Sequence, residues 1–148
     1  MRIYYVYVIR EEFASLYYGL EQKLFRLFLE NRQSNGKLKE ITKMQIEYIS
    51  EKVDQNELYD YLLANVQNTK GMNVCNGEKL TINHKRSYAE LTMKDQFVQI
   101  QAEGLLDAEV TFFELLRQYN PYFLAMDFKS NRCGWLKPIR TLKYANHS

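Results

Sequence analysis

Most of what this chain is short of narrows its chemistry. Its 148 residues include two cysteines, Cys75 and Cys133, far apart and in neither a CxxC nor a zinc spacing. Its two histidines, His84 and His147, cannot complete a four-ligand metal set with them. Neither a metal nor any other cofactor is therefore expected, and the thiols are expected to be reduced in the cytoplasm. No run of apolar residues approaches the 18 or so needed to cross a bilayer, and the start of the chain lacks the apolar core and cleavage site of a signal peptide. No GxGxxG, GxxxxGK[ST] or GxSxG pattern is present, so phosphate loops and the nucleophile elbow are absent. Glycine (6) and proline (2) are also scarce. A chain this poor in turn formers spends its length on regular elements.

Net charge is small as well. Twenty basic and eighteen acidic residues give +2, too little for non-specific adhesion to nucleic acid. The exception is local: Lys129, Arg132, Lys137, Arg140 and Lys143 follow one another without an acid between them. A nucleic-acid-associated protein acting through that basic C-terminal segment is the alternative function to test. What the chain has in excess is ring surface, with twelve Tyr, eight Phe and one Trp making 14% of the sequence. Part of that excess is available for a partner, because aromatic side chains carry much of an interface's energy at modest entropic cost.

The pattern along the chain predicts a single domain over residues 1–148, of α+β class, with a mixed β-sheet and helices packed on it. Ile3 to Ile9, IYYVYVI, is apolar on both faces and reads as a central strand. Glu11 and Glu12 open a helix running to about Asn31, with Gly19 as a point where it kinks or splits. Leu16, Tyr17, Leu20, Leu24, Leu27 and Phe28 share one sector of its wheel, and Ala14, Tyr18, Phe25 and Leu29 the next. An apolar arc that wide implies cover on two sides. A second helix, capped by Thr42, reaches about Ser50, and a third spans about Asp54 to Val66 on a Leu58, Leu62, Val66 stripe. Asn68 to Arg86 reads as a loop with at most a weak strand near Lys79 to His84.

Tyr88 to Met93 and Phe97 to Glu103 form a hairpin; Asp107 caps a helix to Tyr119 with Val110, Phe113 and Leu116 on one face. Tyr122 to Phe128 returns as a strand, with Gly134 to Leu136 beside it, and order is expected to fade beyond about residue 141. No nucleophile and base can be paired. Cys133 reads as a bystander thiol. Asp127, at the end of an apolar strand, reads as the acceptor that holds the Ser130 to Gly134 turn.

Two blocks resemble a known family. YYVYVIREEFASLYYG, Tyr4 to Gly19, and FFELLRQYNPYFLAMDFKSNRCGWLKPI, Phe112 to Ile139, are similar to the sporulation inhibitor of replication family, SirA, of spore-forming Gram-positive bacteria, as is TKMQIEYI, Thr42 to Ile49. Between about Lys52 and Tyr88 no family motif is recognised. The resemblance implies a non-enzymatic inhibitor that binds the N-terminal domain of the replication initiator DnaA and blocks new rounds of replication as cells commit to sporulation. It implies a one-to-one complex formed by a protein that is monomeric alone. The positions matching the family's contact residues are Phe13 and Tyr17 on the first helix and Gln45, Tyr48 and Ile49 on the second. Each set has helical i, i+3 or i, i+4 spacing and can present one face. Tyr5, Tyr7, Phe25, Phe28, Phe113, Phe123 and Phe128 are then assigned to the core.

Overall fold

The computed structural model describes residues 1–137; the expected end of regular structure at Pro138, the fading of order beyond residue 141, His147 and the cations Arg140 and Lys143 all lie outside them. In chain order the elements are β1 (Arg2–Ile9), α1 (Glu11–Leu16), α2 (Glu21–Gln33), α3 (Gly36–Ile49), β2 (Ser50–Glu51), α4 (Gln55–Ala64), β3 (Met72–Asn76), β4 (Lys79–His84), β5 (Ser87–Met93), β6 (Val98–Gly104), α5 (Asp107–Tyr119), β7 (Phe123–Asp127) and β8 (Arg132–Trp135). The α+β class holds. The sheet, expected to be mixed, is antiparallel at every pairing among the described residues, in the order β3-β4-β5-β6-β1-β7-β8, with short β2 on the end of β1. Short connections join β3 to β4, β4 to β5, β5 to β6 and β7 to β8, which favours antiparallel pairing there.

Strand β1 is central because it is apolar on both faces. It pairs with β6 through Tyr4↔Ile100 and Val6↔Val98, and with β7 through Val6↔Ala125 and Val8↔Phe123. Val6 and Val8 join Leu58 and Leu62 of α4 and Phe112 and Leu116 of α5 in one core. Ile9 and half-buried Tyr7 face the opposite way, into a second core with Leu24, Phe25 and Phe28 of α2 and Ile46 of α3. The period of two along a strand produces this division, and β7 repeats it, with Phe123 and Ala125 on one side and Leu124 and Met126 on the other. Strands β4 to β6 contribute no residue to the second core, so burial alternates along them and their other face is polar.

The helix expected from Glu11 to Asn31 is split at Gly19, whose φ of +81° is readily adopted only by a residue without Cβ. Cover on two sides is found for α2, which lies between the sheet and α3. Leu16 (66% exposed) and Leu20 (46%), expected on the core-facing sector, stand instead in solvent at the break. Of the aromatics assigned to the core, Phe25, Phe28 and Phe123 are buried, while Tyr5, Tyr7, Phe113 and Phe128 are half-buried.

Four other expectations change. Thr42 does not cap a helix: it lies inside α3, almost fully buried, its Oγ1 donating to Leu38 O and accepting from Asn31 Nδ2 at 3.0 Å. The stretch from Asn68 to Arg86 is not a loop with one weak strand but the hairpin β3–β4, with Met72, Leu80 and Ile82 buried. The stripe of α4 stops at Leu62, and Val66 packs on the core from the turn that follows. In α5 the cap position is Leu106, not Asp107, and the buried stripe is Ala108, Glu109, Phe112 and Leu116 in place of Val110, Phe113 and Leu116. Ser87 Oγ accepts from Ala108 N–H there, a substitute for a local cap supplied from β5.

Candidate functional site

Helices α1 and α3 approach each other at the end of β1, and backbone chemistry fixes how. Arg10, between β1 and α1, donates its backbone N–H to Ile49 O and its Nε to Tyr48 O, both at 2.8 Å. The start of α1 is thereby tied to the last turn of α3, whose final carbonyls have no partner within their own helix. Further along, Asn31 of α2 donates to Lys39 O and Thr42 Oγ1 while Lys39 Nζ donates to Asn31 O, which clamps α2 against α3. Two ties at separate points hold the three helices in one rigid layer.

Between them runs an open groove of about 610 Å³, lined among others by Tyr17, Leu24, Leu27, Met44, Gln45 and Tyr48. Tyr48 is 70% exposed, and Phe13 meets it edge-on with ring centroids 5.4 Å apart. Phe13 and Tyr17 are each half-buried and pack against the second core, the one that holds Leu24 and Phe28. The five residues picked out in the sequence are therefore brought together: Tyr17, Gln45, Tyr48 and Ile49 line the groove, and Phe13 braces Tyr48. Ile49 corrects the expectation in one respect, since only 8% of it is exposed and it belongs chiefly to the core beneath the groove.

Several groove residues escaped the sequence reading. Met44, 68% exposed, is four residues before Tyr48, and an exposed methionine on a helix face was the available signal. Leu38 and Ile41, also exposed, continue the apolar stripe along α3. Exposed apolar residues scattered singly are ordinary; here Leu38, Ile41, Met44 and Tyr48 recur at helical spacing on α3, and the last two line the groove, which is the pattern of a contact surface.

Elsewhere the polar clusters are structural. Asp127 is buried and accepts from Ser130 N–H and Arg132 Nη2, each at 3.2 Å, closing the turn into β8 as expected. Arg132 of the basic segment is committed to that pair, leaving exposed Lys129 and Lys137 among its described members. Cys133 is half-buried, and burial pushes its thiol pKa up, which disfavours the reactive thiolate. Sequence reasoning did not pick out Glu109, a carboxylate at 1% exposure that receives Arg2 Nε at 2.9 and 3.0 Å and the Tyr4 hydroxyl. Burial, then the bond to Glu109, lifts the Tyr4 pKa to about 12, and burial lifts that of Tyr7 to about 12. No helix among the described residues is long and apolar enough to cross a membrane.

A family model described as "Sporulation inhibitor of replication protein SirA" matches residues 2–140. The chain belongs to the SirA family. A curated relative, the sporulation inhibitor of replication protein SirA of Bacillus subtilis (strain 168), is 36% identical over 141 residues, covering 94% of this chain and 95% of its own. The SirA match runs through residues 52–88, where the sequence shows no recognisable motif, so the β3–β4 hairpin is part of the family domain.

Proposed function

We propose that this protein inhibits the initiation of chromosome replication during sporulation by docking the α1–α3 groove on the N-terminal domain of the initiator DnaA, as a non-enzymatic one-to-one partner in the cytoplasm. The carrying observation is the convergence of Phe13, Tyr17, Gln45, Tyr48 and Ile49, from two separate helices, on one pre-formed surface. Membership of the SirA family supports the inhibitory role. Chemistry favours binding over catalysis, because the groove offers ring faces, a thioether and an amide but no paired acid and base.

The mechanism is occupation. The Arg10 and Asn31 ties order the helices before any partner arrives, so association spends little on ordering backbone. Tyr48 and Tyr17 then supply broad apolar contact, and Gln45 supplies a directional hydrogen-bonding group between them. An initiator domain held there is denied to its other partners.

The test is co-purification of the full chain with the isolated N-terminal domain of DnaA, followed by calorimetry. A stable one-to-one complex is the expected result. Absence of binding, with the chain shown to be folded, overturns the proposal.

A further inference from the structure

Among the residues lining the groove the single formal charge is Lys23, on the first turn of α2. Its backbone N–H is used, donating to Leu20 O at 2.9 Å, whereas its ammonium enters no ion pair among the described residues. The ion pairs of the described residues are Arg2–Glu109, Lys79–Glu90, Arg117–Glu114 and Arg132–Asp127, and none includes it. Of the other cations of this helical layer, Arg10 donates to Tyr48 O, Lys39 donates to Asn31 O and Arg32 lies over the rings of Tyr5 and Phe128 at 4.6 and 4.5 Å, while Arg26, Lys37 and Lys43 do not line the groove. A cation in the first turn is also on the wrong end of its own helix, where the macrodipole is positive and carboxylates are preferred. Among the described residues Lys23 thus has no counter-charge in an ion pair, and it adds to, rather than offsets, the positive end of α2.

An exposed lysine on a helix is usually no more than a solvated side chain. Lys23 differs because it forms part of the groove wall, so whatever fills the groove also covers its stem and removes water from its head group. A partner that did this without a counter-charge would leave an unpaired cation partly desolvated, which is costly; a partner bringing a carboxylate would offset the loss.

From this we infer that Lys23 determines specificity at the docking surface. The partner segment seats an apolar side chain against Leu24, Leu27, Met44 and Tyr48 and places an Asp or Glu carboxylate on Lys23. This rests on the function proposed above and names the chemistry the initiator's N-terminal domain must present. A segment with a basic residue at that point is rejected.

Calorimetry of the full chain with that domain, at low and at physiological salt, tests the inference in Lys23→Ala, Lys23→Glu and Lys23→Arg. Affinity falls about tenfold in Lys23→Ala, with a weaker dependence on salt, and about a hundredfold in Lys23→Glu, where attraction becomes repulsion. Lys23→Arg keeps the charge and stays within a few-fold of the unmodified protein. Urea unfolding of each variant confirms that the fold is kept. If Lys23→Ala and Lys23→Glu bind as the unmodified chain does, with the same salt dependence, while Tyr48→Ala still weakens binding, the inference is overturned and the docking surface stands. If the unmodified, folded chain does not bind at all, the proposed function itself has failed.

Discussion

Tyr48→Ala separates the docking surface from the fold most cleanly, because the free protein covers so little of this side chain. A tyrosine buries on the order of 200 Å² when fully covered. With 70% of Tyr48 exposed, about 140 Å² remains available to a partner, a ceiling of roughly 3.5 kcal/mol at about 25 cal/mol per Å². Immobilising the side chain takes back about 0.5–1.5 kcal/mol, leaving about 2–3 kcal/mol, or roughly a 30- to 150-fold loss of affinity for the initiator's N-terminal domain. The covered remainder, including the edge-on contact with Phe13, contributes about 1 kcal/mol to folding. Calorimetry reads the first quantity and urea unfolding the second. A folded variant whose affinity stays within twofold of the parent refutes the assignment of Tyr48 as an anchor, and with it the centring of the site on α3.

Three further outcomes concern the fold. Replacing Glu109 by Ala strands Arg2 and the Tyr4 hydroxyl beside a buried void and lowers stability by about 3 kcal/mol in urea unfolding; a loss under about 1 kcal/mol would show that the cluster is not a fastening. Tyr4 and Tyr7 have pKa values raised to about 12 against about 10 in the unfolded chain, so folding favours their neutral forms. Their contribution is complete below pH 10 or so and is lost as pH rises through about 12, giving alkaline unfolding. Ultraviolet titration in which all twelve tyrosines ionise near pH 10 without loss of structure would contradict this. Gly104 has φ +78° and a Cβ there would collide with the Arg86 carbonyl, so Gly104→Ala costs at least about 2 kcal/mol in thermal denaturation, and an unchanged midpoint would refute the collision.

Legibility followed the strength of local signals. β1 and β7 were plain because both faces are apolar, and the split at Gly19 because glycine stands in an otherwise unbroken helical pattern. The β3–β4 hairpin was hidden because asparagine, lysine and glycine dominate its composition. Its burial rests on Met72, Leu80 and Ile82, and β3 is an edge strand whose remaining residues face water. Thr42 looked like a cap because threonine is favoured there; its real partner, Asn31, arrives from a different helix. Glu109 was missed because nothing local pays for a buried carboxylate, and the guanidinium that stabilises it is 107 residues away in sequence.

The sequence by itself determined the α+β class, most of the elements and, through its likeness to SirA, five candidate contact residues, since each depends on neighbours a few positions apart. It left open which part of a wide apolar helical arc is core and which is surface. Tertiary structure decided that, because burial is settled by what packs opposite: α3 covers α2, Leu16, Met44 and Tyr48 are left mostly exposed, and Ile49 is buried. The same packing set Lys23 on the groove wall without an ion-pair partner among the described residues, a relation between separate helices that no single stretch of sequence contains.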